Sequence, residues 1–358
     1  MRILLISNMY PSAKDKTYGT FVKMFKEGIE RNTNDISFDC CFIRGRSKNL
    51  IVKAYKYFIF YTTIIYKIFF TKYDYVYNHQ ITHSSPILRL CRSIRKFKLI
   101  MNIHGSDIVT INRTSRILLR VATPLLFDSY LIVVPSEYFK SIVLNKIPGL
   151  SSGQIYVSAS GGVDNKVFTC LNCHRNVTGM IICVSRIDKG KGWDILIDAV
   201  HELRKSGDVE GKQIVFVGYG KQTELLKSKI QELDLVSYCS YLGPKTHQEL
   251  NDLYNQADIM IFPTMLYESL GLVGLEAMIC GCPVIGSNIG CLPEYIKDGV
   301  TGFLFEPGNS RELKNKIIDF YNLSDKQRYT MRLNAVEMAH KYDSNGIALR
   351  LINKLKNI

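Results

Sequence analysis

Short apolar, β-branched runs recur along the whole chain, at 2–8, 37–44, 73–79, 98–105, 130–136 and 154–160, then at 180–186, 212–218, 238–242, 257–263 and 283–287. Each has the length of a strand buried on both faces, the kind found inside parallel sheets. Between most of them the apolar positions take helical spacing, as from Phe21 to Arg31, Trp193 to Lys205 and Leu270 to Cys280. Strands alternating with helices predict parallel sheets joined by right-handed crossovers. The least patterned stretch, Gly161 to Asn176, predicts a domain boundary. The expected fold class is therefore α/β, with two Rossmann-like parallel-sheet domains facing an interdomain cleft. Ligands of such sheets bind beyond the carboxyl ends of the strands, so the cleft is where chemistry is expected.

Composition narrows the picture. With 358 residues, 46% hydrophobic and 22% charged, the chain buries a large core and is long for one domain. Collagen-like, low-complexity and disordered classes are excluded, because they lack the apolar surface that offsets ordering entropy. The 10 cysteines do not form a disulfide pattern. Cys183, Cys280 and Cys282 sit in apolar runs as small core residues, which points to a reducing cytosol. Met1 to Asn8 is too short an apolar run for a signal peptide and reads as a strand.

The net charge of +14 lies almost wholly in the first half. Residues 1–165 hold 23 Lys and Arg against 10 Asp and Glu, whereas 166–358 hold 23 against 22. Such asymmetry suits an anionic partner: nucleic acid, a phosphorylated substrate or an acidic membrane surface. From Cys40 to Tyr73 there is no acidic residue, while Arg44, Arg46, Lys48, Lys53, Lys56, Lys67 and Lys72 interleave with tyrosines and phenylalanines. Its longest uncharged run, Tyr57 to Tyr66, is too short to span a bilayer, which needs roughly 20 residues. Lysines with interfacial aromatics suit a helix lying on anionic lipid, and peripheral membrane contact is expected. The alternative is a partly buried helix with solvated lysines. No nucleic-acid motif is present, so nucleic acid is not an expected partner.

The strongest chemical signal runs from Pro263 to Met278, after the apolar run 257–263 and into a helix. It holds Glu268 and Glu276. Eight helical steps put their backbones about 12 Å apart, beyond the roughly 5–9.5 Å between paired glycosidase carboxyls, so the two are not expected to share one glycosidic bond. Carboxylates so spaced suit two ends of an extended ligand, such as the sugar and the ribose of a nucleotide sugar. The N–H groups of Ser269, Leu270, Gly271 and Leu272, at the helix start, are expected to face sugar hydroxyls or phosphate oxygens. Upstream, Arg186 and Lys191 flank a glycine turn between a strand and a helix. A departing diphosphate needs such fixed positive charge. On their own Arg186 and Lys191 also fit a solvated pair, and His104 a core or capping histidine. Cys170 to His174 has the spacing of c-type haem attachment but falls in the linker, and attachment needs an export signal. Gly218-Tyr219-Gly220 follows a strand, but Thr223 stands where the dinucleotide fingerprint needs its third glycine. No zinc-type ligand spacing occurs, and no metal or other cofactor is expected.

In order and spacing, several segments together carry a family resemblance: Asn8-Met9-Tyr10-Pro11 with Tyr18-Gly19-Thr20-Phe21, His104-Gly105-Ser106-Asp107, Gly162-Val163-Asp164, and Ser185-Arg186 through Lys191-Gly192. The Glu268 to Glu276 segment and Gly281-Cys282-Pro283-Val284-Ile285 continue it, and Gly299-Val300-Thr301-Gly302 completes it. The chain resembles the retaining glycosyltransferases of family 4, which have the GT-B fold. The resemblance implies an N-terminal acceptor-binding domain, 1–165, with a C-terminal helix at about 343–358 packing back on it. It implies a donor-binding domain at 166–342. It assigns Arg186 and Lys191 to the donor diphosphate, Glu276 to the ribose hydroxyls, Glu268 to the donor sugar, Gly19 to the phosphate and acceptor approach, and His104 to the donor sugar. The implied partners are a nucleotide sugar, UDP-linked before GDP-mannose, and a glycan or lipid-linked saccharide acceptor. The chain departs from the family pattern in the loop Lys16-Thr17-Tyr18-Gly19-Thr20, which has one glycine where many members have Gly-Gly, at Gly161 for asparagine, and at Cys291 for glycine. None of these removes a phosphate or sugar contact. A nucleotide-sugar epimerase or a sugar phosphorylase of the same architecture is the alternative enzyme, and a non-catalytic basic lipid or nucleic-acid binder is the alternative outside enzymes.

Overall fold

A computed structural model describes residues 1–15, 18–47, 49–105, 107–109, 113–159 and 161–358. Lys16 and Thr17 beside Gly19, Lys48 of the basic aromatic segment and Ser106 of the His104 run lie outside the described residues. The chain divides into two units, Met1–Gly162 with Ser344–Ile358, and Val163–Asp343. It crosses between them at Gly162 and again at Asp343, where the sequence had placed 165 and 342.

The first unit alternates as expected: β1 (Arg2–Tyr10), α1 (Thr20–Asn32), β2 (Ser37–Arg44), α2 (Leu50–Phe70), β3 (Tyr75–His79), α3 (Ile81–Ile94), β4 (Leu99–Asn102), α4 (Arg113–Phe127), β5 (Leu131–Val134), α5 (Glu137–Lys146) and β6 (Ile155–Val157). The strands pair in parallel in the order β2-β1-β3-β4-β5-β6. The second unit repeats the plan with β7 (Met180–Val184), α6 (Trp193–Ser206), β8 (Gln213–Val217), α7 (Thr223–Glu232), β9 (Cys239–Tyr241), α8 (His247–Gln256), β10 (Ile259–Phe262), α9 (Leu272–Ile279), β11 (Val284–Ser287), α10 (Leu292–Tyr295), β12 (Gly302–Phe305), α11 (Ser310–Asn322) and α12 (Asp325–His340). Its parallel order is β12-β11-β10-β7-β8-β9. Strand β12 has no counterpart among the predicted runs: Gly302 to Phe305 is too short, and too closely bracketed by turn residues, to stand out as a run.

The last helix, α13 (Ser344–Lys356), returns to the first unit. Leu351, Ile352 and Leu355 join Phe25 and Ile29 of α1 over one face of the sheet. The other face is covered by α2, α3 and α4, whose Phe60, Leu88 and Leu125 meet Leu4, Val76 and Ile132. With helices on both faces, the inner strands β3, β4 and β5 are buried throughout, which is why they read as apolar runs, while the edge strands β2 and β6 keep partly exposed positions. Among the described residues no helix is long and apolar enough to cross a membrane.

Candidate active site

In the second sheet the strand order reverses between β7 and β10. Loops leaving two such strands diverge at their carboxyl ends and open a crevice. The predicted residues fall on those two loops: Arg186 and Lys191 follow β7, and Glu268 to Gly271 follow β10. Glycine makes the loops meet. Gly192 begins α6 at φ 77°, and a Cβ there would sit 1.7 Å from the Pro263 carbonyl oxygen. Met265 N–H donates to the Gly190 carbonyl at 2.8 Å. This approach brings Lys191 Nζ to 2.7 Å from Glu268 Oε1, which also accepts from Thr264 Oγ1 at 2.9 Å. The two charged side chains are only 14% and 17% exposed.

Two expectations need correction. Glu268 is not on the helix that carries Glu276: α9 starts at Leu272, so a helical ruler between the two carboxylates does not apply. The reason is Gly271, whose left-handed φ of 73° ends the loop and turns the chain into the helix. Glu268 is itself paired and largely covered. Ser269 and Leu270 likewise precede the helix, and Leu270 is buried, which leaves its backbone as the part able to meet a ligand. The N–H groups of Ser269, Leu270 and Leu272 donate to no described residue. Tyr295 Oη donates to the Gly271 carbonyl at 3.0 Å and fixes this turn from beneath.

Arg186 stands apart from the Lys191–Glu268 pair. Its guanidinium is 69% exposed and donates to Asp188 at 2.9 Å, while the other Asp188 oxygen accepts from Lys221 N–H at 2.8 Å. Glu276 lies on the second turn of α9 and accepts no hydrogen bond from the described residues. Its residue keeps a solvent-touching edge, but protein encloses the carboxyl, and that desolvation raises it to about 7. A carboxyl poised there ionises readily when ligand hydroxyls supply the missing hydrogen bonds.

The first unit has its own switch point, between β1 and β3. Gly19 follows β1, and His104 follows β4, the next strand. Gly19 has φ 74°, and a Cβ on it would lie 2.5 Å from the Met9 carbonyl carbon. Glycine is thus required there by the chain's own backbone. His104 Nε2 lies 2.8 Å from Nδ1 of His79, the last residue of β3. Burial holds His104 down at about 3 and His79 well below the usual imidazole range, the latter helped by its neighbour. Both rings are therefore neutral at physiological pH and act as hydrogen-bonding groups, not cations. Asp107 accepts from the His104 and Ile81 N–H groups at 3.1 and 3.3 Å and pins the loop; burial raises its carboxyl to about 6. The sequence reading missed His79. The available signal was its place at the end of an apolar run on a switch-point strand.

Residues 175–338, nearly all of the second unit, match the family model for glycosyl transferases group 1. The whole chain superposes on HepE of Anabaena in complex with UDP, with a TM-score of 0.77, 21% identity and 100% of both chains covered. The fold is that of a GT-B glycosyltransferase. HepE has also been solved with UDP-glucose, to which the TM-score is 0.75 at 20% identity over 100% of both chains. An uncharacterised glycosyltransferase of Methanocaldococcus jannaschii is 25% identical over 75% of this chain and 71% of its own length. The lipopolysaccharide 1,2-N-acetylglucosaminetransferase of Salmonella typhimurium is 26% identical over 63% of this chain and 62% of its own, less than two thirds.

Proposed function

We propose that the protein is a retaining hexosyltransferase that moves a sugar from a nucleotide-sugar donor, a UDP-sugar before GDP-mannose, to a hydroxyl of a glycan or lipid-linked saccharide in surface polysaccharide synthesis. The observation that carries this reading is the Lys191–Glu268 pair beside backbone N–H groups that donate to no described residue, at a strand-order reversal. It sets a cation, a carboxylate and free donors on adjoining loops, which a sugar diphosphate can use together. Glu268 accepts from sugar hydroxyls, the N–H groups of Ser269, Leu270 and Leu272 donate to phosphate or sugar oxygens, and Lys191 and Arg186 neutralise the leaving diphosphate. Glu276 accepts from the ribose hydroxyls, which stabilises its ionised form. Gly19 and the neutral His104 serve the first unit's part of the donor and acceptor contacts.

Retention follows from front-face displacement: the glycosidic bond to the acceptor forms on the face from which the phosphate departs, and a phosphate oxygen takes the acceptor's proton. The products are the glycosylated acceptor and the nucleoside diphosphate. With fixed cations in place the reading needs no metal, so turnover should survive a chelator. The UDP-bound fold relative supports a UDP-sugar, and the lipopolysaccharide enzyme supports a saccharide acceptor.

The test is a thermal-shift panel of UDP, GDP, ADP and their sugars on the wild type and Glu276→Ala, followed by turnover with the stabilising donor. One nucleotide class should raise the melting temperature, less so in the variant. No stabilisation by any donor, together with no sugar transfer, would sink the reading.

A further inference from the structure

Helix α2 is apolar on two sides. Phe60, Ile64 and Ile68 face the sheet and are buried. At about 100° per residue, Ile51, Tyr55, Phe58, Tyr66 and Phe70 fall on the opposite side, and they are 63% to 80% exposed. A helix apolar all round is normally enclosed, yet this one lies at the surface. Its neighbours continue the pattern: α3 exposes Leu90 and Ile94, and α4 exposes Ile117. Across the sheet the helical layer is ordinary. Among the described residues of α1 and α13, Leu349 alone is a large exposed apolar side chain.

The same three helices hold eight Lys and Arg and no Asp or Glu. Lys67 and Arg92 are answered by Asp39 and Asp128 from neighbouring elements, and Lys56 donates to the Arg44 and Gly45 carbonyls. Lys53, Arg89, Arg113, Arg116 and Arg120 are exposed and form no ion pair among the described residues.

We propose that the outer face of α2, α3 and α4 docks on an anionic lipid bilayer, with α2 lying in the headgroup plane. Aromatic and aliphatic side chains there enter the acyl boundary while lysines and arginines reach the lipid phosphates. At about 30 Å, α2 is long enough to anchor the unit lying flat, and its three lysines argue against spanning. A second copy of this face is a poor occupant, because it would bring like charges together with no acidic partner. The proposal does not depend on the transferase reading, since lipid binding needs neither donor nor acceptor.

The experiment is co-sedimentation of the full chain with phosphatidylcholine vesicles and with phosphatidylcholine–phosphatidylglycerol vesicles, at low and high salt. Binding is expected to the anionic vesicles and to weaken with salt. The triple variant Lys53→Glu, Arg116→Glu, Arg120→Glu should lower the partition coefficient at least about tenfold. Tyr55→Ser, Phe58→Ser, Tyr66→Ser should do the same through its apolar share. All six positions lie outside the transferase site, and thermal unfolding of each variant checks that the fold is intact. Equal binding to neutral vesicles, or no loss in a folded charge variant, would overturn the proposal. So would a dimer, split by the aromatic variant, in place of vesicle binding.

Discussion

The two switch points use buried polar groups in opposite ways. In the second unit Lys191 and Glu268 meet as an ion pair, touching solvent at their edges and each other at 2.7 Å. In the first, His79 and His104 are stripped of charge and meet as neutral rings at 2.8 Å. Sheet topology is similar in kind at both places, so the difference comes from what surrounds the strand ends. Around Lys191 the two loops supply mutual counter-charge; around His104 Phe21 and Phe25 close over the rings, Phe21 at 4.4 Å from His104 and Phe25 at 4.5 Å from His79. A parallel sheet thus provides a place for chemistry, and side chains decide whether it offers charge or neutral hydrogen bonding.

The sharpest way to break this contrast is to remove charge where it is held. Lys191→Met should lower sugar transfer about a thousandfold, comparable to losing one strong oxyanion donor. It should leave binding of the free nucleoside much less affected if, as proposed, the lysine acts on the diphosphate. If transfer falls less than about tenfold, the cation has no role at the leaving group.

A second prediction concerns Glu276. Its folded carboxyl sits at about 7, above an unfolded value near 4.5. The folded state holds its proton more tightly, so stability is complete below pH 4.5 and declines as pH rises towards 7. Glu276→Gln should therefore stabilise the second unit at pH 8 by about 3 kcal/mol relative to its effect at pH 4.5. Urea unfolding at the two pH values measures it. Donor affinity should move the other way in the wild type, rising above pH 7 as the carboxylate forms.

The first unit should respond to pH with the opposite sign. Its histidines bind protons less readily when folded, so their share of stability is complete above pH 6.5 and is lost as pH falls towards 3. Asp107, raised by burial to about 6, opposes this with one group against two. Between pH 7 and pH 5 the wild type should lose about 2 kcal/mol relative to His104→Phe. A fluorescent probe on the first unit would report it, and equal acid sensitivity of both proteins would contradict the neutral pair.

The smallest expected effect is on rate. His104→Ala should slow transfer about tenfold, the order of one neutral hydrogen bond. At saturating donor the wild-type pH–rate profile should show no limb near 6.5 that His104→Ala removes, since neither imidazole titrates there. An inflection at that pH, lost in His104→Ala, would show a histidine that changes charge during turnover.

Much of the architecture was legible from residue order. Buried parallel strands must be apolar on both faces, so eleven of the twelve strands stood out as runs, and each run followed by a polar loop marked a strand end where ligands collect. Arg186, Lys191 and Glu268 were legible as residues beyond strand ends for that reason, and they lie on the loops after β7 and β10. Strand β12 escaped because it opens on Gly302 and is followed directly by Glu306-Pro307-Gly308, which leaves only three consecutive apolar residues.

What chain order could not decide were the encounters between residues far apart in sequence. Lys191 meets Glu268 because Gly192 lets the backbone close on Pro263, a contact with no local signature. His79 meets His104 because β3 and β4 are neighbours in the sheet. The outward apolar side of α2 is another such case: composition alone showed a basic aromatic helix, but which side packs on the sheet depends on strands that precede and succeed it. Periodicity and residue type are local properties, and through them the sequence by itself determined the strands, most helices and the loops that carry charge. Burial, pairing and protonation depend on neighbours brought in by folding, and only the tertiary structure decided those.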